Sequence, residues 1–198
     1  MSQLIVSIGR EYGSGGHEIA VKLAERLGLK LYDRNLLEEI AKHKNVDYSE
    51  LAKYDETPKK KILTRTVRGL SSSHEHNIAN MQFDYLRKKA SDGESFVVVG
   101  RCAESVLKDF EGLISIFVLG DIECRVQRII KVRGMTESEA RSAVNRHDRT
   151  RKAYHNDHSR MKWGDSRNYD ITLNSSKLGI DNAVDLIEDY INKRTGNK

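Results

Sequence analysis

The sequence predicts an α/β fold in which a five-stranded parallel sheet is covered by helices on both faces. Three observations predict it. Short apolar, β-branched runs recur along the chain. Most are followed by a segment whose apolar residues repeat at helical spacing. The runs are apolar at consecutive positions, as expected of strands buried on both faces.

The elements follow in order. Residues 4–8 (LIVSI) read as the first strand and lead into a glycine-rich turn. Ile19, Ala20, Leu23, Ala24 and Leu27 then recur at helical spacing, with Gly28 placed to end that helix. Residues 29–32 are a second short strand, and Leu36, Leu37, Ile40 and Ala41 mark a second helix. Residues 45–92 read as polar and helical, with Thr57-Pro58 as an N-cap followed by an N1 proline. The third strand is Phe96–Val99, ending in Gly100-Arg101 and followed by a helix through Leu107. Leu113–Leu119 (LISIFVL) is the fourth, with a helix over 122–132, and 169–173 is the fifth, with a last helix over 183–191. There is no internal repeat and no low-complexity tract.

The chain has 198 residues, enough for one domain or one domain with an insertion. Its two cysteines, Cys102 and Cys124, both fall in segments of regular structure, which excludes a disulfide scaffold and points to a reducing compartment. No apolar run reaches membrane-spanning length, and residues 1–9 carry no basic leader, so a cytoplasmic protein is expected. The net charge of +5 is unevenly spread: residues 1–120 carry +1, 121–167 carry +5 and 168–198 carry −1. Arginines gathered in one stretch suit phosphate, whose oxygens the guanidinium fork matches in pairs. A solvated helix face is the other reading of such a run. The near-neutral remainder and the lack of interleaved aromatics argue against nucleic acid. Oligomeric state is left open.

The turn after the first strand reads Gly9-Arg10-Glu11-Tyr12-Gly13-Ser14-Gly15-Gly16-His17. Glycines let the backbone approach a ligand and turn successive N–H groups toward it, and the helix that follows adds its positive end. An anion site and a merely tight strand-to-helix connection both fit. The turn departs from the G-x-x-x-x-G-K-[ST] loop: Gly16 stands where lysine would be, and His17 where serine or threonine would be.

The glycine turn, Leu31-Tyr32-Asp33-Arg34, Val99-Gly100-Arg101-Cys102-Ala103, Trp163-Gly164-Asp165, Asn168-Tyr169-Asp170 and Asn174-Ser175-Ser176, taken in this order, resemble the cytidylate kinase-like family of P-loop nucleotide kinases. The resemblance implies a P-loop NTPase-type three-layer α/β/α fold in a single nucleotide-kinase-like domain. Its core would be 1–44 and 93–198, with a helical monophosphate-binding insertion over 45–92 and an arginine-rich lid over about 133–165. It implies transfer of the ATP γ-phosphoryl to a nucleoside monophosphate, CMP or dCMP favoured, with ATP and Mg2+ as cofactors and nucleotides as partners. A nucleotide- or phosphate-binding regulator without catalysis is the alternative, because the loop lysine is absent.

Residue by residue, Gly13, Ser14, Gly15, Gly16 and His17 would hold the donor phosphates, and Arg10 or His17 could supply the missing lysine's charge. Asp33 could hold Mg2+ through water or orient the acceptor; an ordinary helix N-cap is its other reading. Arg34, Gly100, Arg101 and Asp148 would bind the acceptor, Arg101 through its phosphate, although Arg101 also reads as a surface arginine. Arg146, Arg149 and Arg151 resemble the lid arginines, while Asp148 and Arg151 also form an ordinary i,i+3 helix pair. Asp165 and Asp170 are expected to be structural. The His74/His76 and His155/His158 pairs lack ligand-spaced partners for zinc, and Cys102 reads as a small buried residue.

Overall fold

A computed structural model describes residues 3–44, 47–53, 66–67, 70–71 and 74–196. Five strands form one all-parallel sheet in the order β2-β5-β1-β6-β7: β1 (Ile5–Arg10), β2 (Lys30–Tyr32), β5 (Phe96–Val99), β6 (Leu113–Leu119) and β7 (Ile171–Asn174). Between β2 and β5 the described residues hold helices α2 (Leu36–Lys44), α3 (Tyr48–Ala52) and α4 (His74–Ser91), with two-residue strands β3 (Thr66–Val67) and β4 (Leu70–Ser71) paired antiparallel. The other helices are α1 (Gly16–Leu27), α5 (Ala103–Val106), α6 (Ile122–Arg133), α7 (Glu137–His158), α8 (Ser175–Leu178) and α9 (Ile180–Thr195).

Strand alternation builds the layers. On one face Val6, Ile8, Val97, Val99, Ile114, Ile116 and Val118 meet α1 through Ile19, Ala20 and Leu23, and α9 through Ala183, Val184 and Ile187. On the other, Ile5, Phe96, Val98 and Leu113 meet α2, α4 and α5 through Leu36, Leu37, Ile40, Leu86 and Ala103. Burial of both faces explains why the strands read as continuous apolar runs. Among the described residues no helix is long and apolar enough to cross a membrane.

Several boundaries differ from the sequence reading. β2 starts at Lys30 because the Leu29 N–H is used in closing α1, where it donates to the Ala24 carbonyl at 2.9 Å beside left-handed Gly28. The polar stretch 45–92 includes the β3–β4 pair, whose two-residue strands carry no period to read. Thr57-Pro58 lies outside the described residues. The last strand starts at Ile171, since Tyr169 and Asp170 dock the preceding segment on β6. Tyr169 and Trp163 pack on Phe117 with ring centroids 5.0 and 5.3 Å away. Asp170 Oδ2 accepts from the Ser115 N–H at 2.7 Å and from its hydroxyl at 2.8 Å, and Oδ1 accepts from Arg194 at 2.5 Å. Asp165 accepts from the Arg167 N–H at 3.2 Å as the cap of a single 3-10 turn. The expected structural roles of both aspartates therefore have visible partners.

The strand order reverses beside β1, with β2 and β5 on one side and β6 and β7 on the other. In open parallel sheets ligands bind at such a reversal, beyond the C-terminal strand ends. Asp170→Ala removes the acceptor of three hydrogen bonds at the far side of the sheet. It is expected to lower the unfolding free energy by about 2 kcal/mol and the melting temperature by roughly 4–8 °C for a chain of this size. Thermal unfolding followed by circular dichroism is the check, and an unchanged curve would show that the carboxylate is dispensable.

Candidate active site

The glycine turn lies between β1 and α1. Gly13 and Gly15 have φ of +82° and +80°, a region that side chains with a Cβ rarely adopt. Gly13 also wraps closely around α6, where an added Cβ would stand 2.8 Å from the Arg125 carbonyl oxygen. Gly16 is the first residue of α1 and does not have positive φ. The N-cap, Gly15, offers no side-chain cap; the Gly16 N–H donates to the Ser14 hydroxyl at 3.4 Å, and Gly16, His17 and Glu18 of the first turn line the cleft described below. Ser14 is placed differently from its neighbours. Its N–H and hydroxyl both donate inward to the Glu11 carbonyl, and its own carbonyl accepts from the Ser175 hydroxyl at 2.6 Å. It closes the turn and does not line the cleft.

A buried charge network fixes this turn to α6 and α7. Arg125, 8% exposed, donates to Asp148 Oδ2 at 2.5 Å and to the Tyr12 carbonyl at 3.2 Å, and pairs with Glu11 at 3.5 Å. Asp148 Oδ1 accepts from the Tyr12 N–H at 2.7 Å, and Glu11 accepts from the Gly120 N–H at 3.0 Å. Both Asp148 oxygens are thereby engaged in seating the turn. The Tyr12 ring stacks on His147 at 4.1 Å and lies 5.5 Å from the Arg151 guanidinium. Burial, with the charges of Arg151, Arg146 and Arg34, holds the His147 ring below the ordinary histidine pKa, against Asp148.

Beyond the turn is a cleft of about 610 Å³. Gly13, Gly15, Gly16 and His17 of the turn and α1 line it together with Asp33, Arg34 and Arg101 from the strand ends, with Arg10 and Arg151 also in its wall. Asp33 Oδ1 accepts from the Asn35 N–H at 3.0 Å, while Oδ2 lies 2.7 Å from His17 Nε2. Burial alone would raise the Asp33 pKa. The Asn35 N–H, the His17 ring and the Arg101 charge outweigh it and hold the carboxyl below its ordinary value, so it is ionised at neutral pH. An ionised carboxylate lining the cleft fits a water-bridged contact to a bound Mg2+.

At the end of β5, Gly100, Arg101 and Cys102 have φ of 75°, 60° and 51°. Two of these are not glycine, a backbone strain that gathers at functional sites. Arg101 is only 3% exposed and is not a surface residue; its Nη2 donates to the Asp33 carbonyl at 3.3 Å. Behind it is a cavity of about 20 Å³, walled in part by Gly100, Arg101, Arg151 and a Glu104–His155 pair. Those two residues, both 4% exposed, meet at 2.5 Å and fasten α7 to α5. His76 stacks on His158 at 5.5 Å. Among the described residues no group of three or more His, Cys, Asp or Glu could hold a metal ion.

The structure thus brings most of the expected residues to one cleft, with Gly100 in the cavity next to it. Ser14 and Asp148 support the turn from outside. Arg146 and Arg149 are exposed and do not line the cleft, whereas Arg128 and Arg133 of α6 do. Arg128 pairs with Glu18 of α1. Sequence reasoning missed these two and Arg125. Helical period was the available signal: Arg125, Arg128, Ile129 and Val132 fall on one side of α6.

A parallel sheet of this order, with a glycine turn entering a helix at its reversal point, defines a kinase-like nucleotide-binding fold. The chain belongs to the cytidylate kinase-like family, whose profile matches residues 5–177. A protein named cytidylate kinase from Pyrococcus horikoshii is 24% identical over 188 residues, covering 94% of this chain and 87% of its own. An uncharacterised Eubacterium ventriosum protein of known structure is 39% identical, with a TM-score of 0.77 over 96% of this chain and 99% of its own. The shikimate kinase of Bacteroides thetaiotaomicron, 11% identical, shares the fold alone, with a TM-score of 0.56 over 95% of this chain and 98% of its own.

The charge network makes a prediction about stability. Asp148→Ala leaves Arg125 buried and short of a partner, and is expected to cost about 3 kcal/mol in denaturant unfolding. Arg125→Met combined with Asp148→Leu removes both charges and is expected to cost less than the two single changes together. Additive losses would show that the pair is not coupled.

Proposed function

We propose that this protein is a phosphotransferase that moves the γ-phosphoryl of ATP to a nucleoside monophosphate, with CMP or dCMP as acceptor. The observation that carries the reading is the single cleft, in which a glycine turn and helix N-terminus face an arginine-lined strand end. Phosphoryl transfer asks a protein mainly to align two charged groups and neutralise the charge between them. The amides of Gly13, Gly15, Gly16 and His17 hold the donor phosphates. Arg101 and Arg34 hold the acceptor phosphate, and Arg10 and Arg151 face the group in transit. Mg2+ supplies charge neutralisation when bound, and Asp33 is the carboxylate that would hold it through water. Family membership and the named relative support a kinase and leave the acceptor to experiment. Cys102 and Cys124 are not joined in a disulfide, which accords with a cytoplasmic setting.

The regulator reading rests on Gly16 in the lysine position, and turnover separates the two. ADP release is measured with ATP, Mg2+ and each of CMP, dCMP, UMP and AMP. Release above that of Gly15→Asp, which crowds a left-handed position against Ile180, is expected and greatest with CMP or dCMP. No turnover with ATP still bound by calorimetry would favour the regulator. Arg101→Lys keeps the charge and loses the fork. It is expected to raise the acceptor KM by about tenfold or more and to leave the ATP KM unchanged. Equal change in both would remove Arg101 from the acceptor end.

Residues 45–92 serve in this reading as the acceptor-binding insertion and about 133–165 as the lid. With Arg146 and Arg149 outside the cleft, α7 must shift for them to reach a phosphate. Hydrogen exchange with a non-hydrolysable ATP analogue is expected to show added protection over residues 141–163 and 13–16, and little over α9. Protection of the turn without the arginine segment would reduce those arginines to a solvated face.

A further inference from the structure

We infer that Arg10, the last residue of β1, takes the place of the helix lysine found in ordinary glycine-rich phosphate loops, and that Gly16 is glycine because Arg10 occupies the room its side chain would need. In the G-x-x-x-x-G-K-[ST] loop the lysine follows the last glycine and reaches the β- and γ-phosphates. The matching position here is Gly16. Backbone conformation does not demand glycine there: Gly13 and Gly15 have positive φ, and Gly16 does not. Lysine is a good helix former, and glycine is a poor one. The demand is for space. An added Cβ would lie 2.6 Å from the Arg10 Cβ, 3.3 Å from its Cγ and 3.3 Å from the Val118 Cβ. A Cβ moves only with its backbone, and this backbone is tied into the sheet. Arg10 pairs with Val118 in the β1–β6 ladder, the Glu11 N–H donates to the Val118 carbonyl at 3.0 Å, and Arg151 donates to the Arg10 carbonyl at 3.4 Å. A side chain at 10 and a side chain at 16 therefore exclude each other.

The exchange moves the cation from the helix to the strand. Arg10 lines both the cleft and the small cavity next to it, with its Cβ and Cγ beside Gly16. A guanidinium there can take two phosphate oxygens at once, where an ammonium acts as a point charge. His17, the other candidate for the missing charge, has its Nε2 engaged with Asp33 at 2.7 Å. This assignment rests on the cleft being a nucleotide site.

Calorimetry with ATP–Mg2+, ADP and AMP tests both levels separately. Arg10→Ala is expected to weaken ATP by about tenfold to a hundredfold, ADP less, and AMP least. Gly16→Lys alone is expected to weaken ATP as well, because the lysine cannot fit beside Arg10. Arg10→Gly combined with Gly16→Lys clears the space and should recover much of the lost ATP affinity, which loss of structure alone would not do. If Arg10→Ala proves unfolded by circular dichroism, Arg10→Lys and Arg10→Gln replace it, with lysine expected to retain ATP and glutamine to lose it. Full ATP affinity in Arg10→Ala or Arg10→Gln, or in Gly16→Lys alone, overturns the assignment and leaves the nucleotide site standing. A wild-type chain that binds neither ATP nor ADP overturns the nucleotide site and this assignment with it.

Discussion

The arrangement of the site depends on one buried cation. Arg125 sits beneath the glycine turn, where a charge is costly unless fully partnered. Its partners come from distant parts of the chain: Glu11 and the Tyr12 carbonyl from the turn, and Asp148 from α7. Because the cation must keep these acceptors, the turn cannot shift without disturbing α6 and α7. Its left-handed glycine then follows from geometry, since only a residue without Cβ passes the Arg125 carbonyl at that distance. Ser175 at the start of α8 adds a last tie through the Ser14 carbonyl. The turn is in this way held largely from behind, by Arg125, Asp148 and Ser175, none of which lines the cleft.

The same network explains which arginines reach the cleft. α7 buries Ala140 and Val144 against Val126 and Ile129 of α6, Tyr154 against Ala79 and Phe83 of α4, and His155 against Glu104 of α5. Asp148 and Arg151 lie on the continuation of that face, at i+4 and i+7 from Val144. Arg146 and Arg149 fall off it by about a third of a turn or more, because each residue advances roughly 100°. Density of positive charge marks a segment of the sequence, but facing is set by periodicity, and the small apolar residues that mark it are easily overlooked among the charges. On α6, Arg125 is turned inward, while Arg128 and Arg133 line the cleft.

How much could be read from the sequence follows from what each feature depends on. The long strands were legible because two-sided burial leaves continuous apolar runs, as in Phe96–Val99 and Leu113–Leu119. Helix ends were less so. α9 runs beyond its buried stripe in both directions, to Ile180 and Thr195, and the exposed polar residues Asp181, Asn182, Lys193 and Arg194 within those extensions carry no signal. The left-handed Arg101 and Cys102 had no sequence mark at all, since non-glycine residues seldom adopt such φ. Nor did the inward placement of Arg101. An arginine beside a glycine looks the same on a surface turn as it does 3% exposed under a strand end.

Asp33 shows why two readings of a residue need not compete. As the residue after a strand it read either as a local cap or as a site carboxylate. The two oxygens have different partners: Oδ1 accepts from the Asn35 N–H in the turn before α2, and Oδ2 is hydrogen-bonded to His17 Nε2 at 2.7 Å. The local bond fixes the side-chain torsion, and that is what aims the second oxygen. Gly16 makes the same point from the other side, because one missing side chain both lets the helix start against β1 and leaves the Arg10 side chain its place. At the reversal of a parallel sheet the strand ends are at once the edge of the core and the floor of the crevice. Residues there are constrained by packing before they are available for chemistry, and their chemistry is legible only together with the neighbours that hold them.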